Sequence, residues 1–308
     1  MTNPLFYAKI LLFGEYGIIE DSQGLTVPYS FYKGVLKFSD LETAFDKESN
    51  ASLQKYSEYV KNLELPEKFK LNVSDFEKDI EKGLIFDSNI PQGYGVGSSG
   101  ALVAAIFERY SILKYVAEEI SKDQLMELKK VFGTLESYFH GKSSGMDPLI
   151  CYMNLPILIE NRDNIDKVLI PASQAGKGAI FLIDSGSTGE TAPMVQIFFE
   201  KMKTEGFRKT LKEEFIRYND ACIDAFLKKE MNPLFRNLKS LSVWAFEHFK
   251  PMIPESIYKA WKKGIDSNAY YLKLCGSGGG GYILGFTKDY AKAEKMLKGF
   301  QKEVIYRF

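Results

Sequence analysis

Residues 91–105 read "PQGYGVGSSGALVAA". Gly93, Gly95, Gly97 and Gly100 crowd around two serines, and an alanine-rich run that favours helix follows at once. The preceding "LIFDSNIP" (84–91) has the branched and aromatic content of a strand. The passage is therefore strand, glycine loop, helix. Glycines let successive backbone N–H groups converge on one point, and Ser98 stands where a helix N-cap would. Converging amides at a helix start suit an anion, phosphate above all. No lysine precedes the serine pair, so this is not a Walker A loop. The same letters also describe a turn that only aims a helix, and these residues alone leave both readings open.

Three further stretches bear on that choice. "GSGGGG" (276–281) joins two apolar runs in "YYLKLCGSGGGGYILGF", where a turn approached closely by a ligand suits better than a flexible linker. In "LMELKKVFGTLESYFHGKSSGMD" (125–147), Leu125, Leu128, Phe132, Leu135 and Phe139 trace a helical stripe. Glu136 falls on or beside that stripe, where an unpaired carboxylate is costly; a structural ion pair and a metal ligand both account for it. Asp147 follows as a turn residue or a catalyst. Lys9 interrupts the apolar strand "AKILLFGEYGII", either as an exposed edge lysine or as one projecting into a polar site, with Glu15 as its partner or a nucleotide contact.

Working outward, "FYAKILLF", "LTVPYSF" and "GVLKFS" read as separate strands near the start. Helical spacing appears at 51–62, 75–83, 98–120 and from Asp123 to His140. "LICYM", "PILIE", "KVLIPA" and "GAIFLIDSG" read as strands. Helices recur over about 190–264, and a last helix and the strand "EVIYRF" close the chain. "PASQAGK" (171–177) marks the expected boundary between domains at 1–174 and 175–308.

Composition limits the function classes. With 308 residues, 45% of them hydrophobic, the chain can build two ordinary cores. Forty basic residues balance forty acidic ones, which gives no charge argument for nucleic acid or an acidic membrane. Three cysteines without a CxxC pair point to a reducing compartment. No basic segment precedes an apolar run at the start, and "PLICYMNLPILI" is too short to span a bilayer, so a cytoplasmic protein is expected. With two histidines and no cysteine cluster, any metal is expected to be a hard ion held by oxygen.

Taken together and in order, these stretches resemble the GHMP kinase family. "AKILLFGEY" resembles its GK-x-x-L-x-GEH segment through Lys9, Gly14 and Glu15. "PQGYGVGSSGA" is similar to its phosphate loop, P-x-G-x-G-L-G-S-S-A. "ESYFHGKSSGMD" resembles E-x-x-x-HG-x-PSG-x-D through Glu136, His140, Gly141, Ser144, Gly145 and Asp147, and "KLCGSGGGGY" is similar to KLTGAGGGGC. Departures are Tyr16 for His, Gly100 for Ala, Ser143 for Pro and Pro148 for Asn. The resemblance implies an α+β, two-domain fold, with an N-terminal domain of the ribosomal protein S5 domain 2-like type and a ferredoxin-like C-terminal domain. It implies ATP and Mg2+, and a small-molecule alcohol as acceptor. The match is best to members that phosphorylate the 5-hydroxyl of mevalonate in isoprenoid precursor synthesis. A phosphomevalonate kinase, a sugar kinase and an inactive nucleotide-binding regulator are the alternatives, and a homodimer is left open. Carried over residue by residue, Asp147 and Lys9 would be catalytic and Ser99 and Glu136 would hold the metal. Glu15, Gly93, Tyr94, Gly95, Val96, Gly97, Ser98, Ser99, Gly278 and Gly279 would meet the nucleotide. Tyr16, His140, Ser144, Gly145 and Gly276 would line the acceptor.

Overall fold

The computed structural model describes residues 3–308. Strand β1 (Phe6–Phe13) buries six of its eight residues, as its aromatic and branched content dictates. β2 (Gly24–Phe38) is one strand of 15 residues where the sequence suggested two. Gly34 does not break it. It pairs with Ser88, and an added Cβ there would lie 2.1 Å from the Phe86 ring, so the glycine makes room for that ring. The described residues divide into two compact units. One comprises the residues up to Lys9, Pro28–Pro91 and Gly97–Leu155; the other comprises Ile10–Val27, Gln92–Val96 and Pro156–Phe308.

In the first unit, α1 (Ala44–Lys61) is capped by Thr43, which accepts from the Asp46 N–H, and α2 (Val73–Glu81) is capped by Asn72. β3 (Leu84–Ser88) pairs antiparallel with the far half of β2. α3 (Ser98–Tyr110) is shorter than its sequence suggested. The Tyr110 carbonyl is taken by the Asn72 N–H, and Ser111 turns extended to bridge Leu71, so the chain leaves the helix there. α4 (Lys122–His140) opens with a capping box of Ser121 and Gln124. α5 (Met146–Met153) occupies the stretch read as the strand "LICYM". It is apolar and buried on nearly every side, and such a run carries no period that separates helix from strand. Phe107 of α3 meets Phe132 of α4 and Tyr152 of α5 edge-on, with ring centroids 5.0 and 5.5 Å apart. Leu125, Leu128, Phe132 and Leu135 are fully buried, each contributing about 1.5–3 kcal/mol of transfer free energy. This packing fixes α3, α4 and α5 against one another, and with them the polar residues at their ends.

In the second unit, β4 (Ile157–Asn161) pairs with the near end of β2, and β5 (Asn164–Lys167) folds back on β4. The strand read at 167–172 lies at β5 instead. β6 (Ala179–Asp184) follows, then α6 (Thr191–Met202), α7 (Glu205–Thr210), α8 (Ile216–Leu227), α9 (Met231–His248) and α10 (Glu255–Ser267). β7 (Tyr271–Leu274), β8 (Tyr282–Thr287), α11 (Tyr290–Met296) and β9 (Lys302–Arg307) end the chain. The strands form an antiparallel sheet in the order β7-β8-β6-β9. Trp261 of α10 is fully buried, and its indole N–H donates to the Ser242 hydroxyl and carbonyl on α9. The mixed helices and sheets are the α+β architecture expected. Among the described residues no helix is long and apolar enough to cross a membrane.

Candidate active site

Two groups of polar residues stand out, one within each unit. In the first, Lys9 is buried on β1, and its Nζ lies 2.8 Å from Asp147 Oδ1. Asp147 sits in the first turn of α5, which starts from Gly145 in the left-handed region (φ 75°). The close approach of α5 to α3 depends on Gly100. A Cβ there would lie 2.7 Å from the Asp147 carbonyl carbon and 2.8 Å from the Pro148 nitrogen. Glycine in place of alanine at this position therefore leaves room for the Asp147–Pro148 backbone against α3. Lys9 also runs beside the loop: a Cβ on Gly97 would fall 2.9 Å from its Cγ.

In the first turn of α3, the Ser99 hydroxyl donates to Glu136 Oε1 at 3.0 Å and lies 3.0 Å from His140 Nε2. Glu136 and His140 are four residues apart on α4, so both project toward Ser99. Ser143 Oγ donates to the other carboxylate oxygen of Glu136. Burial pushes the Glu136 carboxyl up from 4.5 to about 7, and the Asp147 carboxylate adds to the rise. The hydrogen bonds from Ser143 and Ser99 and the Lys9 ammonium act in the opposite direction. A buried carboxylate raised this far gains from a cation beside it. No side chain caps the N-terminus of α3, although the sequence placed Ser98 for that task; the cap is Gly97 (φ 82°). The leading N–H groups of α3 lack the side-chain acceptor that a capped helix supplies.

In the second unit the two glycine loops meet. Gly95 takes φ +76°, and a Cβ there would lie 2.5 Å from the Cys275 carbonyl oxygen, so only glycine fits. Gly276 packs against Gly95, and Tyr94 meets Tyr282 edge-on with ring centroids 4.9 Å apart. A third turn joins them: the Gly189 N–H donates to the Gly93 carbonyl at 2.8 Å, and the Gly281 N–H to the Ser187 carbonyl at 2.6 Å. The Gly279 N–H is bound to the Met252 carbonyl at 2.6 Å, Gly278 sits beside Met252 and Leu274, and Val96 is buried. Glu15 is buried in an ion pair with Lys273 of β7. Tyr16 is buried, stacks on Phe198 at 4.8 Å, and donates its hydroxyl to the Ser277 carbonyl at 2.6 Å.

The structure thus gathers Lys9, Gly97, Ser98, Ser99, Glu136, His140, Ser144, Gly145 and Asp147 in the first unit. It gathers Glu15, Tyr16, Gly93–Val96, Gly276, Gly278 and Gly279 in the second. Sequence reasoning missed Lys273, although it carries the same signal as Lys9, a lone lysine in an apolar strand. It also missed the turn at 187–189, where "SGSTGE" offers only a common loop composition, and the hydroxyl contact of Ser143.

The N-terminal GHMP kinase domain model matches residues 58–154, and the C-terminal GHMP kinase model matches residues 223–305. The chain belongs to the GHMP kinase family. Its membership rests on both domains, which together take in more than half of the chain. The fold of this GHMP kinase is similar to that of L. major mevalonate kinase, solved in complex with R-mevalonate (TM-score 0.65, 14% identity, 100% of this chain and 96% of that one). It is also similar to the Methanococcus jannaschii mevalonate kinase (TM-score 0.62, 16% identity, 100% and 99% covered). The Streptococcus pneumoniae phosphomevalonate kinase in complex with phosphomevalonate and AMPPNP is comparable (TM-score 0.62, 15% identity, 99% and 100% covered). No curated protein sequence matches the chain. Membership makes the chain one of an ATP-dependent kinase family.

Ser99 and Glu136 suit magnesium, which prefers oxygen and keeps several waters, so one hydroxyl and one carboxylate suffice from protein. The raised Glu136 carboxyl is the feature of this site that a cation would relieve.

Proposed function

We propose that the chain transfers the terminal phosphate of ATP to the 5-hydroxyl of mevalonate. The observation that carries this reading is the Lys9–Asp147 pair at 2.8 Å, formed beside Ser99 and Glu136 by residues far apart in sequence. Phosphoryl transfer needs positioning and charge neutralisation more than covalent help. Asp147 is the one member of the pair with a substantially exposed side chain (37%), so its free oxygen can accept the proton of an alcohol. Lys9, held rigid on β1, orients that carboxylate and offers positive charge to the transferring group. Residues 93–99, with the uncapped start of α3, cradle the triphosphate. Magnesium held by Ser99 and Glu136 would neutralise charge developing on the phosphate. His140, Ser144 and Gly145 are the acceptor-side candidates of the first unit, and Tyr16 is that of the second; Tyr16, Gly100, Ser143 and Pro148 are where this chain departs from the pattern it otherwise resembles.

The test is ADP release with mevalonate, phosphomevalonate and a panel of sugars. Turnover with mevalonate at least tenfold above every other acceptor supports the reading. Preference for phosphomevalonate or a sugar replaces the acceptor and leaves the chemistry. Nucleotide binding with no turnover on any acceptor favours a regulator that has lost catalysis.

A further inference from the structure

We propose that Ser143 is a positioning residue that turns the Glu136 carboxylate so that it ligates metal through Oε1 alone. The inference rests on the reading of Ser99 and Glu136 as the magnesium ligands. The last torsion of a glutamate is broad and two-fold, so a carboxylate presents one oxygen reliably only when the other is tethered. Here the tether is Ser143 Oγ, which donates to Oε2. Oε1 is then left to Ser99, 3.0 Å away.

Ser143 cannot easily turn elsewhere. Its Oγ also accepts from the Gly145 N–H at 3.0 Å, and its own N–H donates to Ser137 Oγ at 3.3 Å. Ser137 is in turn anchored on α4 through the Gly133 carbonyl at 2.7 Å. Gly133 gives the loop room to lie on the helix, since a Cβ there would approach the Ser143 carbonyl oxygen to 3.0 Å. One hydroxyl therefore links the carboxylate of α4 to Gly145, the residue from which α5 and Asp147 begin. Proline, which the resembled motif carries at this position, would supply neither the hydroxyl nor the N–H. This chain has thus placed a hydrogen-bonding support where that motif has none.

Partners that orient metal ligands are worth about 10–100-fold in metal affinity. The test is calorimetric binding of AMPPNP over a magnesium titration, for the unaltered chain, Ser143→Ala, Ser143→Thr and Glu136→Gln, with melting followed on the same samples. In Ser143→Ala the magnesium concentration for half-maximal enhancement should rise about 10–100-fold. Metal-free AMPPNP affinity should stay as it was, melting should fall only by the modest cost of the lost hydrogen bonds, and Ser143→Thr, which keeps the hydroxyl, should restore the magnesium response. An unchanged magnesium response in Ser143→Ala overturns the proposal while Glu136→Gln still reports the metal site. Equal loss of affinity with and without metal also overturns it, because that is the mark of a purely structural role. A Glu136→Gln variant with an unchanged magnesium response removes the ligand reading itself, and the proposal with it.

Discussion

Replacing Glu136 by glutamine should stabilise the metal-free protein, and only above mildly acidic pH. The Glu136 carboxyl is raised from 4.5 to about 7, chiefly by burial. Below pH 4.5 it is protonated in both the folded and the unfolded chain, and full stability is present. Between pH 4.5 and about 7 the unfolded chain ionises while the folded one holds its proton, so stability falls as pH rises. The slope approaches 1.36 kcal/mol per pH unit, and above pH 7 the penalty levels off at about 3 kcal/mol. Glutamine does not titrate. Its amide can still accept from one serine hydroxyl and donate to the other, so the contacts with Ser99 and Ser143 can survive in altered form. The melting curves of the two proteins, in chelator and without nucleotide, should coincide near pH 4.5. They should separate by about 6–12 °C at pH 7.5, with the glutamine variant higher. Calorimetry or dye-monitored melting over pH 4.5–8 reads this directly. A separation that does not grow with pH, or a glutamine variant that melts lower at pH 7.5, would refute the account of Glu136 as a buried carboxylate waiting for a cation.

Asp147→Asn should lower turnover by about 10²–10⁴-fold with little change in ATP affinity. Lys9→Met should act similarly, and steady-state kinetics of the double variant should show less than the product of the two losses; a lowered melting temperature with near-normal turnover would instead mark the pair as a structural ion bridge. Gly100→Ala should reduce kcat by up to about 100-fold, because its Cβ must push Asp147 and Pro148 away from α3. Helix propensity alone expects a more stable protein with normal kcat, so kinetics and melting together decide. Lys273→Met should destabilise the second unit by about 3–5 kcal/mol, since it takes the lysine from the buried Glu15, and adding Glu15→Gln should recover part of the loss in denaturant titrations.

What the sequence determined by itself was each element's kind of surface. Lys9 in an apolar strand, Glu136 on an apolar helical stripe and glycines around two serines are each anomalous within their own segment. An anomaly of that kind is visible because hydrophobic period and backbone freedom are local properties. The choice between the open readings was not local. Lys9 could have been an exposed edge lysine, and Glu136 a partner in a structural ion pair. Packing of α3, α4 and α5 put Lys9 on Asp147 and Glu136 on two serine hydroxyls, through side chains such as Phe107 and Phe132 that carry no chemistry of their own. Tertiary burial likewise made "LICYM" a helix, and it gave Glu15 a lysine that lies 258 residues away. The physical reason is the same in each case. Periodicity tells which face of an element avoids water, whereas the partner of a buried charge is set by which elements meet, and that is decided only when the whole core closes.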